Sequence, residues 1–236
     1  ESLCFGNGKV IGAILFEKTM DGESGGKPVP ERLAERGVVP FLKVDKGLED
    51  EAAGVQLMKP MPGLEALCER ARAKGVFGTK MRSVIKRANE AGIEQIVVQQ
   101  FAEGRRIMGA GLVPMLEPEY DIHADDRAEG EEILRDSIAR HLDTLGEGED
   151  VMLKLSIPVK AGYYASLIEH PRVLRVVALS GGYSTDEACA KLAENPGMIA
   201  SFSRGLLQDL RYQQSDNEFD STLGSAIDQI HAASVT

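Results

Sequence analysis

Short apolar runs rich in β-branched residues alternate with longer amphipathic stretches along all 236 residues, and this alternation constrains the fold most. Strands are expected at 10–16, 38–44, 76–80, 112–117, 151–155, 173–179 and 198–202. Helical periodicity falls between them, for example at 64–74, 93–110, 129–145 and 186–195. Strands separated by helices pair in parallel, because a parallel neighbour can be reached only by a long crossover. Seven parallel strands suit either an open doubly wound sheet or most of a (β/α)8 barrel. An open sheet calls for a glycine-rich phosphate loop after its first strand. Here that strand runs into Phe16-Glu17-Lys18-Thr19, which has none. A barrel is typically ~250 residues, so the expected fold is an α/β protein of the (β/α)8 TIM-barrel type with its first strand missing from the chain. No linker or shift in composition divides it, and a single, N-terminally incomplete domain over 1–236 is expected.

The remaining composition excludes more than it selects. With 43% hydrophobic residues there is material for a sizeable core, and 25 Gly and 10 Pro spread along the chain suit many short connections. Lys plus Arg is 27 against 37 Asp plus Glu, a net charge of −10. So acidic a chain lacks the field that attracts phosphate backbones, and no nucleic-acid partner is expected. No apolar run reaches ~18 residues, so no membrane partner is expected either. Cys4, Cys68 and Cys189 are far apart and odd in number, which suits reduced thiols in a cytoplasmic protein. His123, His141, His170 and His231 are isolated, so no metal centre is expected. The first residue is Glu1 with no signal pattern behind it, as if the N-terminus were processed, truncated or left out.

The strand ends carry the chemistry. Lys43-Val44-Asp45, Lys80-Met81-Arg82 and Glu117-Pro118-Glu119 each place two charges two residues apart, on one face of a strand. Facing the helix layer they would be buried against apolar side chains at high cost. They must therefore converge on the barrel mouth, where the active sites of such folds are built. A lone charge at a strand end is usually a solvated rim residue; its recurrence in consecutive strands is not so explained.

Lys154 is the sharpest single residue, embedded in Val151-Met152-Leu153-Lys154-Leu155. An ammonium there is costly unless paired or deprotonated, and cations such as Lys80 add to the cost. A neutral amine so held is a nucleophile able to form a Schiff base with a carbonyl. The bland alternative is a buried ion pair with Glu117 or Glu119. Carboxylates beside a lysine also suit imine chemistry, in which protons leave a carbinolamine and return to an enamine carbon. After the next strand, Ser180-Gly181-Gly182 precedes Ser184-Thr185-Asp186-Glu187, which reads as a capping box. Such a loop and helix start suit an anion, and Arg204 after the last strand would add a bidentate partner.

Together these segments resemble the class I fructose-bisphosphate aldolases, specifically the short bacterial branch. The likeness rests on Ile14-Leu15-Phe16-Glu17-Lys18-Thr19-Met20, Phe41-Leu42-Lys43-Val44-Asp45-Lys46-Gly47, Gly78-Thr79-Lys80-Met81-Arg82 and Pro114-Met115-Leu116-Glu117-Pro118-Glu119. It continues in Met152-Leu153-Lys154, Ala178-Leu179-Ser180-Gly181-Gly182-Tyr183-Ser184 and Ser201-Phe202-Ser203-Arg204, in order over essentially the whole chain.

The resemblance implies a metal-independent lyase of glycolysis and gluconeogenesis, without a cofactor. It would cleave a sugar bisphosphate reversibly to dihydroxyacetone phosphate and glyceraldehyde 3-phosphate. Lys154 then matches the Schiff-base lysine, Glu117 the acid/base carboxylate, Glu119 its companion and Lys80 the lysine near that pair. Lys43 and Arg82 match residues around the distal phosphate, with Asp45 ordering the lysines. Ser180, Gly181 and Arg204 match the cradle for the phosphate nearer the ketone. The family's first strand ends in an aspartate that helps C–C cleavage, and nothing before Ile11 matches it. The C-terminal tyrosine of the animal enzymes is also absent from Ala232-Ala233-Ser234-Val235-Thr236. Rival readings are another Schiff-base sugar-phosphate aldolase, a transaldolase-like enzyme, or a non-catalytic aldolase homologue. Two basic clusters favour a bisphosphate, and the presence of every matched charge argues against a scaffold. A homo-oligomer stays open.

Overall fold

A computed structural model describes residues 8–235; Cys4 lies outside them. The chain runs β1 (Gly12–Leu15), α1 (Glu17–Met20), a small hairpin of β2 (Glu23–Ser24) and β3 (Lys27–Pro28), α2 (Val29–Ala34), β4 (Val39–Lys43) and β5 (Val55–Gln56). It continues with α3 (Leu64–Ala73), β6 (Gly78–Ile85), α4 (Glu90–Gly109), β7 (Val113–Tyr120), α5 (Arg127–Leu142) and β8 (Val151–Ser156). Last come α6 (Ala165–Ile168), β9 (Val173–Leu179), α7 (Thr185–Ala193), β10 (Met198–Ala200), α8 (Arg204–Leu207) and α9 (Asp216–Ser234). All seven expected strands and the four expected helices are present. The helix α9 was not among them, although Ser215 and Glu218 form a full capping box at its start.

The sheet order is β1-β4-β6-β7-β8-β9-β10, parallel throughout, with β5 pairing antiparallel at the end of β6. Phe41, Met115, Met152 and Val177 pack into one apolar cluster, against which lie Ile14 of β1 and Ile199 of β10. Those two strands stand at opposite ends of the order, so the sheet must curl to bring both to the same cluster. Both edges also line one cavity of about 470 Å³ under α9, at Gly12–Ile14 and Ile199–Ala200. The architecture is a (β/α)8 barrel lacking one strand between β10 and β1. The larger core lies outside the barrel, between strands and helices, and includes Leu42, Met81, Leu116, Leu153, Ile93, Ile96, Phe101 and Ile138.

Two strands are longer than the sequence suggests. β6 was expected to stop at Lys80 and β7 at Glu117, yet they pair over eight rungs from Gly78↔Val113 to Ile85↔Tyr120. The charges that looked like strand ends sit within strands, because polar inward positions alternate with buried outward ones at Met81, Ser83 and Ile85. Two residues below Lys43, Lys80, Glu117 and Lys154, on the same face, are Phe41, Gly78, Met115 and Met152. A layer of charge therefore rests on an apolar floor. Gly78 is required there by space: a Cβ would meet the Val113 carbonyl oxygen at 2.3 Å and the Phe41 ring at 3.1 Å.

Candidate active site

Strand register builds the charged layer. Lys43 pairs opposite Lys80, and the Met115↔Met152 and Leu116↔Leu153 rungs, continued by one residue, set Glu117 opposite Lys154. Lys154 Nζ lies 3.2 Å from Glu117 Oε1, while Lys80 Nζ lies 2.7 Å from Glu117 Oε2. Lys80 Nζ is also 3.7 Å from Asp45 Oδ2, and Asp45 Oδ1 accepts from Lys43 Nζ at 2.6 Å. The result is one alternating chain, Lys43–Asp45–Lys80–Glu117–Lys154. Four of its members are nearly dry: Asp45 is 7% exposed, Lys80 6%, Glu117 3% and Lys154 6%. Glu117 Oε2 makes no hydrogen bond of acceptable angle despite its short approach to Lys80. The contact is an ion pair.

Glu119 belongs to a second unit. Its two oxygens accept from Arg82 Nε at 2.5 Å and Nη2 at 2.9 Å, a bidentate fork. That hydrogen bonding raises the Arg82 guanidinium further above its ordinary value. The Arg82 amide donates to Asp45 Oδ2 at 3.2 Å, so Asp45 ties β4 to β6 through both side chain and backbone. Of the two candidate partners for Lys154, the structure selects Glu117.

The opposite side of the mouth is made of loop. Val177 lies opposite Lys154 and Leu179 opposite Ser156, which puts Ser180 one step beyond the lysine strand. Gly181 follows with φ +64° and Gly182 with φ +128°, and a Cβ on Gly181 would meet Ile122 Cγ2 at 2.5 Å. A side chain is thus excluded by conformation and by space. Ser184 caps α7 by accepting from the Glu187 amide at 3.3 Å. Arg204 opens α8 on the neighbouring strand connection, is exposed, and makes no ion pair or hydrogen bond among the described residues. Among the described residues no hydrogen bond or ion pair joins Ser180, Gly181 or Arg204 to the charged layer.

Sequence reasoning missed the device that sets the spacing of β7 and β8. Their ladder has only two rungs and stops at Leu116↔Leu153. Beyond it, Ser156 Oγ accepts from the Tyr120 amide at 3.1 Å and donates to the Tyr120 carbonyl at 2.7 Å. Residues two apart in a parallel strand address the same neighbour, so the nitrogen of Pro118 also faces β8 and has no proton to offer. A side chain therefore replaces the backbone rung across the gap that holds Glu117 and Lys154. The signal was available: Lys154 and Ser156 repeat the polar i, i+2 spacing of the other strands. Gln100 is a second such support, donating from α4 to the Ser83 hydroxyl at 2.8 Å and the Met81 carbonyl at 3.2 Å behind Lys80 and Arg82.

Cys68 and Cys189 are free and buried, and burial pushes the Cys68 thiol up to about 11. Among the described residues no group of His, Cys, Asp and Glu could hold a metal ion, and no helix is long and apolar enough to cross a membrane.

The model of the glycolytic class-I fructose-bisphosphate aldolase family matches residues 6–146. A class 1 fructose-bisphosphate aldolase from Porphyromonas gingivalis is 55% identical over 235 residues, covering 99% of this chain and 80% of that protein. Among solved structures, fructose-bisphosphate aldolase from Plasmodium falciparum, crystallised with TRAP and a small-molecule inhibitor, superposes with a TM-score of 0.81 at 21% identity. That match covers 98% of this chain and 80% of that one, and bears on the fold alone. With a barrel of the right topology, a family model over more than half its length and a relative at this identity, the chain belongs to the class-I fructose-bisphosphate aldolase family.

Proposed function

We propose that this chain cleaves fructose 1,6-bisphosphate reversibly to dihydroxyacetone phosphate and glyceraldehyde 3-phosphate through an imine on Lys154. The observation that carries the proposal is the alternating chain of charge with Lys154 at its end. Three lysines face two carboxylates in it, so a neutral Lys154 leaves the buried chain balanced. The free amine attacks the substrate ketone, and the carbinolamine hydroxyl leaves as water on receiving a proton. Glu117, 3.2 Å from the amine, is the group placed to relay it from solvent. The resulting iminium draws electrons from the C–C bond one carbon away as the Glu117 carboxylate takes the alcohol proton, and the aldehyde departs. Glu117 then returns a proton to the enamine carbon, and water hydrolyses the imine to regenerate the amine. Lys80, touching Glu117 and Asp45, holds that carboxylate in place.

The two phosphates take the two remaining regions. The Ser180-Gly181 loop and Arg204 receive the phosphate nearer the ketone, because free amides and an uncommitted guanidinium suit an anion. Lys43 and Arg82 receive the far one, with Glu119 aligning Arg82. Class I chemistry needs no metal, so a chelator leaves activity intact. We assign all of 1–236 to one barrel domain and the enzyme to the cytoplasm. The test is borohydride reduction in the presence of dihydroxyacetone phosphate, followed by peptide mapping. The adduct is expected on Lys154, and an adduct elsewhere overturns the assignment.

A further inference from the structure

Beside the mouth lies a buried cation that the imine chemistry does not use. Arg127, the first residue of α5, is 4% exposed. Its Nε donates to Glu131 Oε1 at 2.7 Å, its Nη1 donates to the Tyr183 hydroxyl at 3.0 Å, and its Nη2 donates to the Ile157 carbonyl. Glu131 Oε2 accepts in turn from the Val159 amide at 2.9 Å. Ile157 and Val159 directly follow the strand that carries Lys154. Tyr183 closes the turn that begins at Ser180, its amide donating to the Ser180 carbonyl at 3.0 Å. One guanidinium fork thus binds both the end of the lysine strand and the loop on the ketone-phosphate side.

A buried ion pair adds little net stability compared with apolar residues of the same volume. What it supplies is a fixed geometry between the segments it joins. The joined segments here are those that hold the amine and the anion. Ser156 fastens the lysine strand on its β7 side; the Arg127 fork fastens it on the loop side.

We infer that Arg127 and Tyr183 are positioning residues that hold the Ser180–Tyr183 loop in register with the lysine strand, so that a phosphate seated on the loop presents its ketone to Lys154. The inference rests on the assignment of Lys154 as the imine-forming residue. It predicts a dependence on the phosphate of the ketone, which a merely structural role would not produce.

The test uses the full chain and two ketones, dihydroxyacetone phosphate and dihydroxyacetone, with the rate of borohydride trapping followed by intact mass. Tyr183→Phe keeps the ring and removes only the hydroxyl. It is expected to slow trapping of the phosphate-bearing ketone roughly 10-fold, the scale of one hydrogen bond to a charged group. The rate with dihydroxyacetone is expected to stay unchanged. Arg127→Lys, which keeps the charge beside Glu131 but cannot span both loops, is expected to give the same selective loss. Should that variant fail to fold, Tyr183→Phe decides alone. Equal slowing with both ketones, or none with either, overturns the inference. Absence of any adduct in the unsubstituted chain overturns the Schiff-base assignment and the inference with it.

Discussion

The two sides of the barrel mouth are built on opposite plans. On β4, β6, β7 and β8 every charge is committed: Lys43, Asp45, Lys80, Glu117 and Lys154 form one chain, and Arg82 and Glu119 a second unit. Beyond β9 and β10 the candidate groups are uncommitted, an exposed Arg204 and a loop bent through two positive-φ glycines. The difference follows from what each side has to do. Proton transfer requires groups fixed relative to one another before the substrate arrives. The loop side keeps its donors for an anion that a ligand brings, whereas Lys43 and Arg82 meet the far phosphate only with the N–H groups that Asp45 and Glu119 do not use.

Breaking the committed side should have the largest effect. Glu117→Gln is expected to slow turnover roughly 10²-fold or more, while borohydride with dihydroxyacetone phosphate still labels Lys154. Normal turnover in that variant would reduce Glu117 to an ion-pair partner. The open side gives the next effect. Arg204→Ala should lower kcat/KM for fructose 1,6-bisphosphate and fructose 1-phosphate alike, by about 10- to 150-fold for one charged contact. Arg82→Ala should penalise the bisphosphate more, and equal losses on the two substrates would show that Arg82 does not hold the far phosphate.

Smaller effects sharpen the contrast. Ser156→Ala leaves the Tyr120 amide without its partner in a dry place, a cost of about 1–3 kcal/mol, read as a lower denaturant midpoint; Ser156→Thr restores most of it. A midpoint unchanged in the alanine variant would mean that β7 and β8 keep their spacing without the hydroxyl. Asp121 gives the smallest effect. Its hydrogen bond from Lys86, 2.7 Å, comes first among the causes that hold its carboxyl below the usual range, ahead of the His123 amide. The stability it contributes is therefore present above the ordinary aspartate value and lost as pH falls through the depressed one. The pair is partly exposed, so the contribution is below about 1 kcal/mol. Asp121→Asn should lower the midpoint at pH 7 and match the unsubstituted chain in strong acid; a difference independent of pH would place the effect elsewhere.

How much of this was legible in the sequence depended on whether a feature repeats. The strands were visible because apolar β-branched runs recur, and the charged layer because the i, i+2 pairs recur. Strand length was underestimated in β6 and β7 because an inward charge on a buried strand looks the same as a strand end. Glu117 could not be told from Glu119 as the partner of Lys154, since that choice lies in the offset between neighbouring strands. Arg127 and Glu131 left no trace at all: an Arg–Glu pair four apart on a polar helix reads as a solvated surface pair. Its burial comes from the loop after β8 folding over it, a contact with no local signature.

The strict order of the strands has a consequence for how the protein assembles. Each barrel strand pairs with the next barrel strand in the chain, from β1 to β10. Loop-closure entropy grows only slowly with length, and here every closure spans a single crossover. No strand must wait for a distant segment, which keeps the mean separation of contacts low for a sheet protein and favours quick folding. The four strands bearing the lysines and carboxylates are consecutive in that order. Once β4, β6, β7 and β8 have paired, the ion chain is complete, whatever the two edge strands are doing. The geometry between amine and carboxylate thus depends on four consecutive strands and not on closure of the barrel.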